Sequence, residues 1–306
     1  MACTLSLLTF PHDASAYEAL WERAFLRTPF TRLSYLRAIS VASGRRLDVW
    51  GAWESGRLVA ALPLFAASPF RRVLPPPLTP YTEPVLEAFP PGARIHDRTS
   101  ILDALIAALQ SHYHAFALHL PPTWPDARSF TWAGCRSEVL YTYRIPLDQP
   151  FALARVRKRE AKESGEIFPA EASHLTNALE LSMQRQRRAL PLPSNNLAEA
   201  LPEILRHGLA FRTEHPNGAA SMSLLTPEGA FDFLAGGEPG PGRAALLLHQ
   251  MAYAKAVGCT FFDLCGANTP SIAEYKRGFG GVLTPYTRVV WMRSWVRPLH
   301  TFRAWV

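Results

Sequence analysis

The sequence predicts an α/β chain made of two copies of one domain, covering residues 1–150 and 151–306. Three observations carry that expectation. At 306 residues, 48% of them hydrophobic and 19% charged, the chain is long enough for two cores of about 150 residues each. Its apolar residues switch between the helical repeat and the strand repeat of two. The order two helices, hairpin, helix, strand then occurs once in each half.

The first copy opens with a short apolar strand at 4–10, followed by helices near 14–26 and 32–43 with apolar positions three and four apart. Strands near 46–54 and 57–66 flank Glu54-Ser55-Gly56, which reads as a hairpin turn. The 27 prolines concentrate in this half. "VLPPPLTPYTEP", "FPPG" and "LPPTWP" are expected as loop or edge structure, because proline lacks an N–H and fixes φ. A helix near 99–113 and strands near 115–120 and 137–146 complete the copy.

Between the copies, "FALARVRKREAKESGEIFP" at 151–169 reads as an amphipathic helix ending at Gly165. Arg155, Arg157, Lys158, Arg159 and Lys162 place five cations in eight residues. The second copy gives helices near 172–189 and 196–212, then strands 219–226 and 230–236 about the turn Pro227-Glu228-Gly229. A helix near 243–257, a strand at 260–264, a helix near 270–277 and a strand at 282–292 follow. The tail "WMRSWVRPLHTFRAWV" interleaves Trp and Arg, which suits either a helix docked over the sheet or contact with a membrane surface or nucleic acid.

The net charge of +7 favours anionic partners. Cysteines 3, 135, 259 and 265 have neither disulfide-framework nor zinc-ribbon spacing, and His112, His114 and His119 follow no metal-binding pattern, so no metal is expected. No run approaches about 18 apolar residues, and "MACTLSLLTFPHDAS" lacks a basic leader. A cytoplasmic protein with at most peripheral membrane contact is the expectation. Nucleophile motifs of the G-x-S-x-G kind are absent.

Two stretches can carry chemistry. In "GGEPGPGRAALLLHQMAYAKAVG" a strand ends in glycines and a Gly-Pro-Gly loop leads into a helix. Gly240, Gly242 and Arg243 would there offer N–H groups and a cation to a pyrophosphate or carboxylate, unless the glycines only tighten the connection. In "FFDLCGANTPSIAEYKRGFGG" Thr269-Pro270 starts a short helix that carries Tyr275 and Lys276 after a strand ending at Asp263. Lys276 could bind phosphate or steady an oxyanion, or be a snorkelling lysine at a helix end. Asp263 could be a base, an ion-pair partner or a cap. "MQRQRRALPLP" at 183–193 could hold anions or be a solvated helix face before a proline stop.

Asp263-Leu264-Cys265-Gly266 followed by Tyr275-Lys276-Arg277-Gly278-Phe279-Gly280 resembles the "D-x-x-G … F-K-x-x-F-G" signature of the FemAB-like branch of the GNAT acyltransferase superfamily. "RVRKREAKESGE" is similar to that family's basic helix, and "TPF" at 28–30, "GRLVAALPL" at 56–64 and "LTPYTEPVL" resemble its N-terminal half, the last its substrate-loop strand. The resemblance implies tandem GNAT-like domains, each a mixed, largely antiparallel sheet flanked by helices. It implies N-acyl transfer to an amine on a cell-envelope or saccharide-type acceptor, with Lys276 and Asp263 catalytic. Arg157, Arg159, Lys162, Tyr81 and Tyr275 would bind substrate, and Gly240, Gly242 and Arg243 the donor.

The donor would be an acyl-CoA as co-substrate, or an aminoacyl-tRNA used on an anionic wall precursor; DNA is not expected. Gly237 stands where the acetyl-CoA motif has Gln or Arg, which leaves the donor class open and admits a third reading, a degenerate pair acting as a scaffold.

Overall fold

Apolar alternation in the first part of the chain becomes an antiparallel meander. In the computed structural model, which describes residues 3–67, 71–88, 95–163, 165–214, 218–238 and 240–299, β1 (Thr4–Leu7), β2 (Arg46–Glu54) and β3 (Arg57–Ala67) pair in that order. Helices α1 (Ala14–Glu22) and α2 (Leu33–Ser43) precede the β2–β3 hairpin. Among the described residues the proline-rich stretch holds only the two-residue strands β4 (Arg72–Val73) and β5 (Val85–Leu86), since proline cannot donate to a ladder; "FPPG" lies outside the described residues. Then come α3 (Ile95–His112), β6 (Ala115–Leu120), α4 (Arg128–Trp132) and β7 (Arg136–Pro146).

The second half repeats the plan. The basic helix α5 (Arg155–Glu163) leads to β8 (Ile167–Pro169), α6 (Ala172–Arg185), α7 (Ser194–Leu205), β9 (Gly208–Thr213), β10 (Ala220–Leu225) and β11 (Gly229–Gly236). The chain continues through α8 (Gly242–Ala256), β12 (Phe261–Asp263), α9 (Pro270–Arg277) and β13 (Val282–Met292). The expected helix over 196–212 is therefore two elements. Apolar Leu209, Ala210 and Phe211 keep a helical period, but from Gly208 the chain pairs with β10 and β8 instead.

Two compact units result. The first takes the chain up to Val139, apart from Val41–Ser43, and again from Tyr286; the second takes Leu140–Pro285 with Val41–Ser43. In the first, the strands run β1-β2-β3-β4-β6-β13, with β5 also on β3 and β4–β6 the parallel pair. In the second, they run β7-β12-β11-β10-β9-β8, with β11–β12 the parallel pair. Each sheet is thus mixed and largely antiparallel, and the two have equivalent orders.

The last strand of each is exchanged: β13 pairs with β6, and β7 with β12. The compact units consequently divide the chain differently from a cut at residue 150. A sheet edge gains the same hydrogen bonds from either copy of a strand, so pairing itself does not fix which one closes it.

Each unit has its own core. Leu62, Leu64, Leu105, Leu109, Phe116 and Phe130 are buried together in the first, and Ile145, Leu247, Met251, Phe262, Leu264 and Phe279 in the second. Side chains of these types each contribute about 1.5–3 kcal/mol when fully buried.

Candidate active site

In the second unit, β11 and β12 run together for three pairs: Gly229 with Phe261, Ala230 with Phe262, and Phe231 with Asp263. Then β12 ends while β11 continues to Gly236. A bulge falls beside the point of divergence. Met222 pairs with Leu234 but Ser223 with Asp232, leaving Phe233 as the extra residue. Such a bulge re-aims the neighbouring side chains and bends the strand. The cleft formed there has a volume of about 410 Å³; its polar lining includes Ser221 and Asp232 from the sheet, Arg243 and Gln250 from α8, and Ser271, Tyr275 and Lys276 from α9.

Lys276 is anchored. Its Nζ donates to the Gly266 carbonyl at 2.9 Å and to the Leu264 carbonyl, and stands 3.9 Å from Asp232 Oδ2. The ammonium therefore holds the turn after β12 and faces the Asp232 carboxylate with its remaining proton. Burial raises the Asp232 carboxyl above its ordinary value; Lys276 and Arg243 oppose that rise, and Asp263 adds to it. Among the described residues no hydrogen bond engages the Asp232 side chain.

Asp263 belongs to the turn and does not line the cleft. It is fully buried, and its Oδ1 accepts from Thr142 Oγ1 at 2.7 Å and from the Cys265 N–H at 2.8 Å, with Arg144 Nε 3.9 Å from Oδ2. Thr142 Oγ1 in turn accepts from the Gly266 N–H at 3.0 Å. This network holds Cys265 at φ +52°, a left-handed conformation that non-glycine residues seldom adopt. Burial, assisted by Asp263 and Asp232, pushes the Cys265 thiol well up, which disfavours the reactive thiolate.

Tyr275 lines the cleft edge-on to Phe279, with ring centroids 5.3 Å apart, and burial pushes its hydroxyl up to about 12 against the pull of Arg243 and Arg157. Arg157 is not a cleft residue: its guanidinium sits 4.2 Å from the Tyr275 ring centroid and pairs with Glu160, fastening α5 to α9. Arg159 is 71% exposed and 3.7 Å from Glu163, and Lys162 is exposed, so both belong to the solvated face of α5. Tyr81 is fully buried in the first unit, edge-on to Phe30 and Tyr286.

The glycine loop meets the expected helix N-terminus. Gly242 is the first residue of α8, Gly240 precedes it at φ +155°, and Arg243 points its side chain into the cleft. Gly237 answers to packing: at φ +100°, a Cβ there would fall 2.3 Å from the Gly218 carbonyl oxygen. Its N–H donates to the Ala178 carbonyl at 2.6 Å, and Arg185 Nη1 donates to its own carbonyl at 2.8 Å. One arginine of "MQRQRRALPLP" thus steadies the approach to α8.

Sequence reasoning missed Asp232, Ser221 and Gln250. An aspartate between two phenylalanines in "GAFDFLAG" was the available signal, since an acid in a buried strand needs a reason. Ser221 is only 4% exposed, and among the described residues neither its Oγ nor the buried Arg243 Nε has a hydrogen-bond partner. Gln250 accepts from Ser223 Oγ at 2.9 Å. Both Ser221 and Arg243 line the cleft.

A mixed, largely antiparallel sheet with one parallel strand pair, built twice in one chain, has the architecture of the GNAT fold in tandem. Solved structures agree on the fold. FemX superposes with a TM-score of 0.69 at 10% identity, covering 96% of this chain and 98% of FemX. L-PGS from Bacillus licheniformis gives 0.58 at 13%, covering 95% and 94%. A tandem GNAT protein from the clavulanic acid biosynthesis pathway gives 0.54 at 16%, covering 94% and 97%. No protein-family profile and no curated protein matches the sequence.

Proposed function

We propose that this chain is an N-acyltransferase that passes an acyl group from acyl-CoA to a primary amine on a cell-envelope or saccharide-type acceptor, with chemistry in the second unit's cleft. The observation that carries the reading is the opening beyond Phe231 and Asp263, lined by the Asp232 carboxylate, with Arg243 from the first turn of α8 in the same wall. The resemblance of the Asp263–Gly280 signature to the FemAB-like branch supports an envelope-type acceptor, and the fold shared with a tandem GNAT protein is compatible with an acyl-CoA donor.

The donor's pyrophosphate would rest on the Gly240–Gly242 loop, where the first-turn N–H groups of a helix face outward. Its thioester would lie along the edge of β11 that β12 leaves open. Asp232 takes one proton from the acceptor ammonium. The freed amine attacks the carbonyl, Arg243 steadies the oxyanion, the C–S bond breaks, and the departing thiolate takes the second proton from nitrogen. Lys276 is a positioning residue that holds the turn and sets the Asp232 charge. Bound reactants gain further from proximity.

A second reading, an aminoacyl-tRNA donor, is favoured by one observation: Arg155, Lys158, Arg159 and Lys162 form an exposed cationic face on α5. Thermal-shift titration with acetyl-CoA, longer acyl-CoAs, free CoA and uncharged tRNA separates the two. Saturable stabilisation by acyl-CoA that weakens in Arg243→Ala supports the first. No response to any CoA, with a salt-dependent shift by tRNA, replaces it with the second. Binding without transfer to any amine would leave the scaffold reading.

A further inference from the structure

The first unit has a cavity of its own, about 410 Å³ in volume, that takes Leu86 from β5, Leu102 from α3 and Ser129 from α4, together with Phe25 and Trp124. Its lining is more apolar than that of the second unit's cleft. Phe25 and Trp124 pack with ring centroids 5.8 Å apart, and the indole N–H donates to the Asp126 carbonyl at 2.9 Å, leaving its apolar face for the wall. The charges at the rim cancel: Arg128 Nε donates to Asp126 Oδ1 at 3.0 Å and its Nη2 to Oδ2 at 2.7 Å.

We propose that this cavity is a second binding site, one that takes the uncharged hydrocarbon chain of an acyl or alkyl ligand. Its volume falls within the roughly 300–1,000 Å³ of small-molecule pockets, which are commonly apolar with a few placed polar groups. A charged group would displace water there without finding an unpaired opposite charge, because Asp126 and Arg128 already satisfy each other. A hydrocarbon chain loses nothing by leaving water and gains contact with Phe25, Leu86, Leu102 and Trp124. The chain's source is either the acyl part of a thioester or the tail of an envelope lipid. The site stands whether or not the second unit's cleft transfers acyl groups.

The test is titration of the full chain with ω-bromodecanoate, whose bromine quenches nearby indole fluorescence. Expected is a saturable quench whose amplitude drops in Trp124→Phe, one of eight tryptophans, and an apparent affinity about tenfold weaker in Leu102→Phe, which narrows the cavity. Circular dichroism checks that variant's fold. Should it not fold, nuclear Overhauser contacts between decanoate methylenes and the Trp124 ring give the same answer on the unaltered protein. Displacement of the probe by decanoyl-CoA alone assigns a thioester, and by decyl maltoside alone a lipid tail. A quench that rises without saturation, one that Trp124→Phe leaves unchanged, or displacement by neither competitor overturns the proposal.

Discussion

Asp232 Oδ2 lies 3.9 Å from Lys276 Nζ at the cleft, too far for a hydrogen bond and near enough for the two charges to feel one another. Two of the lysine's three N–H donors are committed to carbonyls of the turn after β12, which fixes the ammonium in place and leaves one proton facing Asp232. That leaves a carboxylate free to meet a substrate beside a fixed positive charge.

Replacing Asp232 with Asn removes the proposed proton acceptor while keeping its shape. Acyl transfer should fall roughly 10²–10⁴-fold, the usual range for general-base catalysis. Transfer by the unaltered protein should decline as pH falls through the raised carboxyl value, because protonation removes the base; the Asn variant should lack that limb. Stabilisation by acyl-CoA should survive. A pH–rate profile with unchanged shape in the variant would remove Asp232 from the chemistry.

Lys276→Met should act on stability and on pH dependence together. The Leu264 and Gly266 carbonyls lose a charged donor, which costs about 2–3 kcal/mol in urea unfolding. Loss of the neighbouring cation should also raise the Asp232 carboxyl further, moving the acid limb of the rate profile to higher pH. A variant that loses activity with stability and pH limb unchanged would instead give Lys276 a direct role on substrate.

Much of the fold could be read from the sequence because its elements obey local rules. Arg46–Glu54 is bounded by a turn, Pro270–Arg277 by Thr269 and Gly278, and both were read to the residue. The exchange of β7 and β13 could not be read, since a strand's apolar pattern says that it pairs and not with which edge. At the site, the Lys276 turn and the α8 loop were visible as glycines, proline and lysine in order. Asp232 was not, because its role depends on where β12 stops, 31 residues later in sequence. Asp263 and Asp232 look alike as strand acids; only the partners Thr142 and Cys265 separate the structural one from the open one.

Gly237→Ala should be costly beyond its one added methyl. The residue sits at φ +100° with its Cβ direction blocked by backbone, so neither a rotamer change nor a side-chain shift gives relief. Destabilisation of about 1–3 kcal/mol is expected, read by urea unfolding. Because the Ala178 and Arg185 bonds to Gly237 lie just before α8, stabilisation by acyl-CoA should weaken in the same variant. Intact stability would show that the loop can shift to make room.

Glu83 in the first unit predicts a pH dependence of folding that has nothing to do with the cleft. It is fully buried, and burial lifts its carboxyl from 4.5 to about 7, opposed chiefly by the hydrogen bond donated by Thr28 Oγ1. The folded state therefore binds its proton more tightly than the unfolded chain does, so the contribution is fully present below about pH 4.5 and lost as pH rises toward 7. The full span corresponds to roughly 3 kcal/mol at 1.36 kcal/mol per pH unit. Half-buried His119, lowered to about 4 mainly by desolvation and then by Arg288, acts in the opposite sense, so total stability alone would blur the effect. The difference between the unaltered protein and Glu83→Gln isolates it. The Gln variant, which keeps an acceptor for Thr28 and carries no charge, should be near parity at pH 5 and about 1–3 kcal/mol more stable at pH 8. A difference that stays constant across that range would mean Glu83 does not titrate within it.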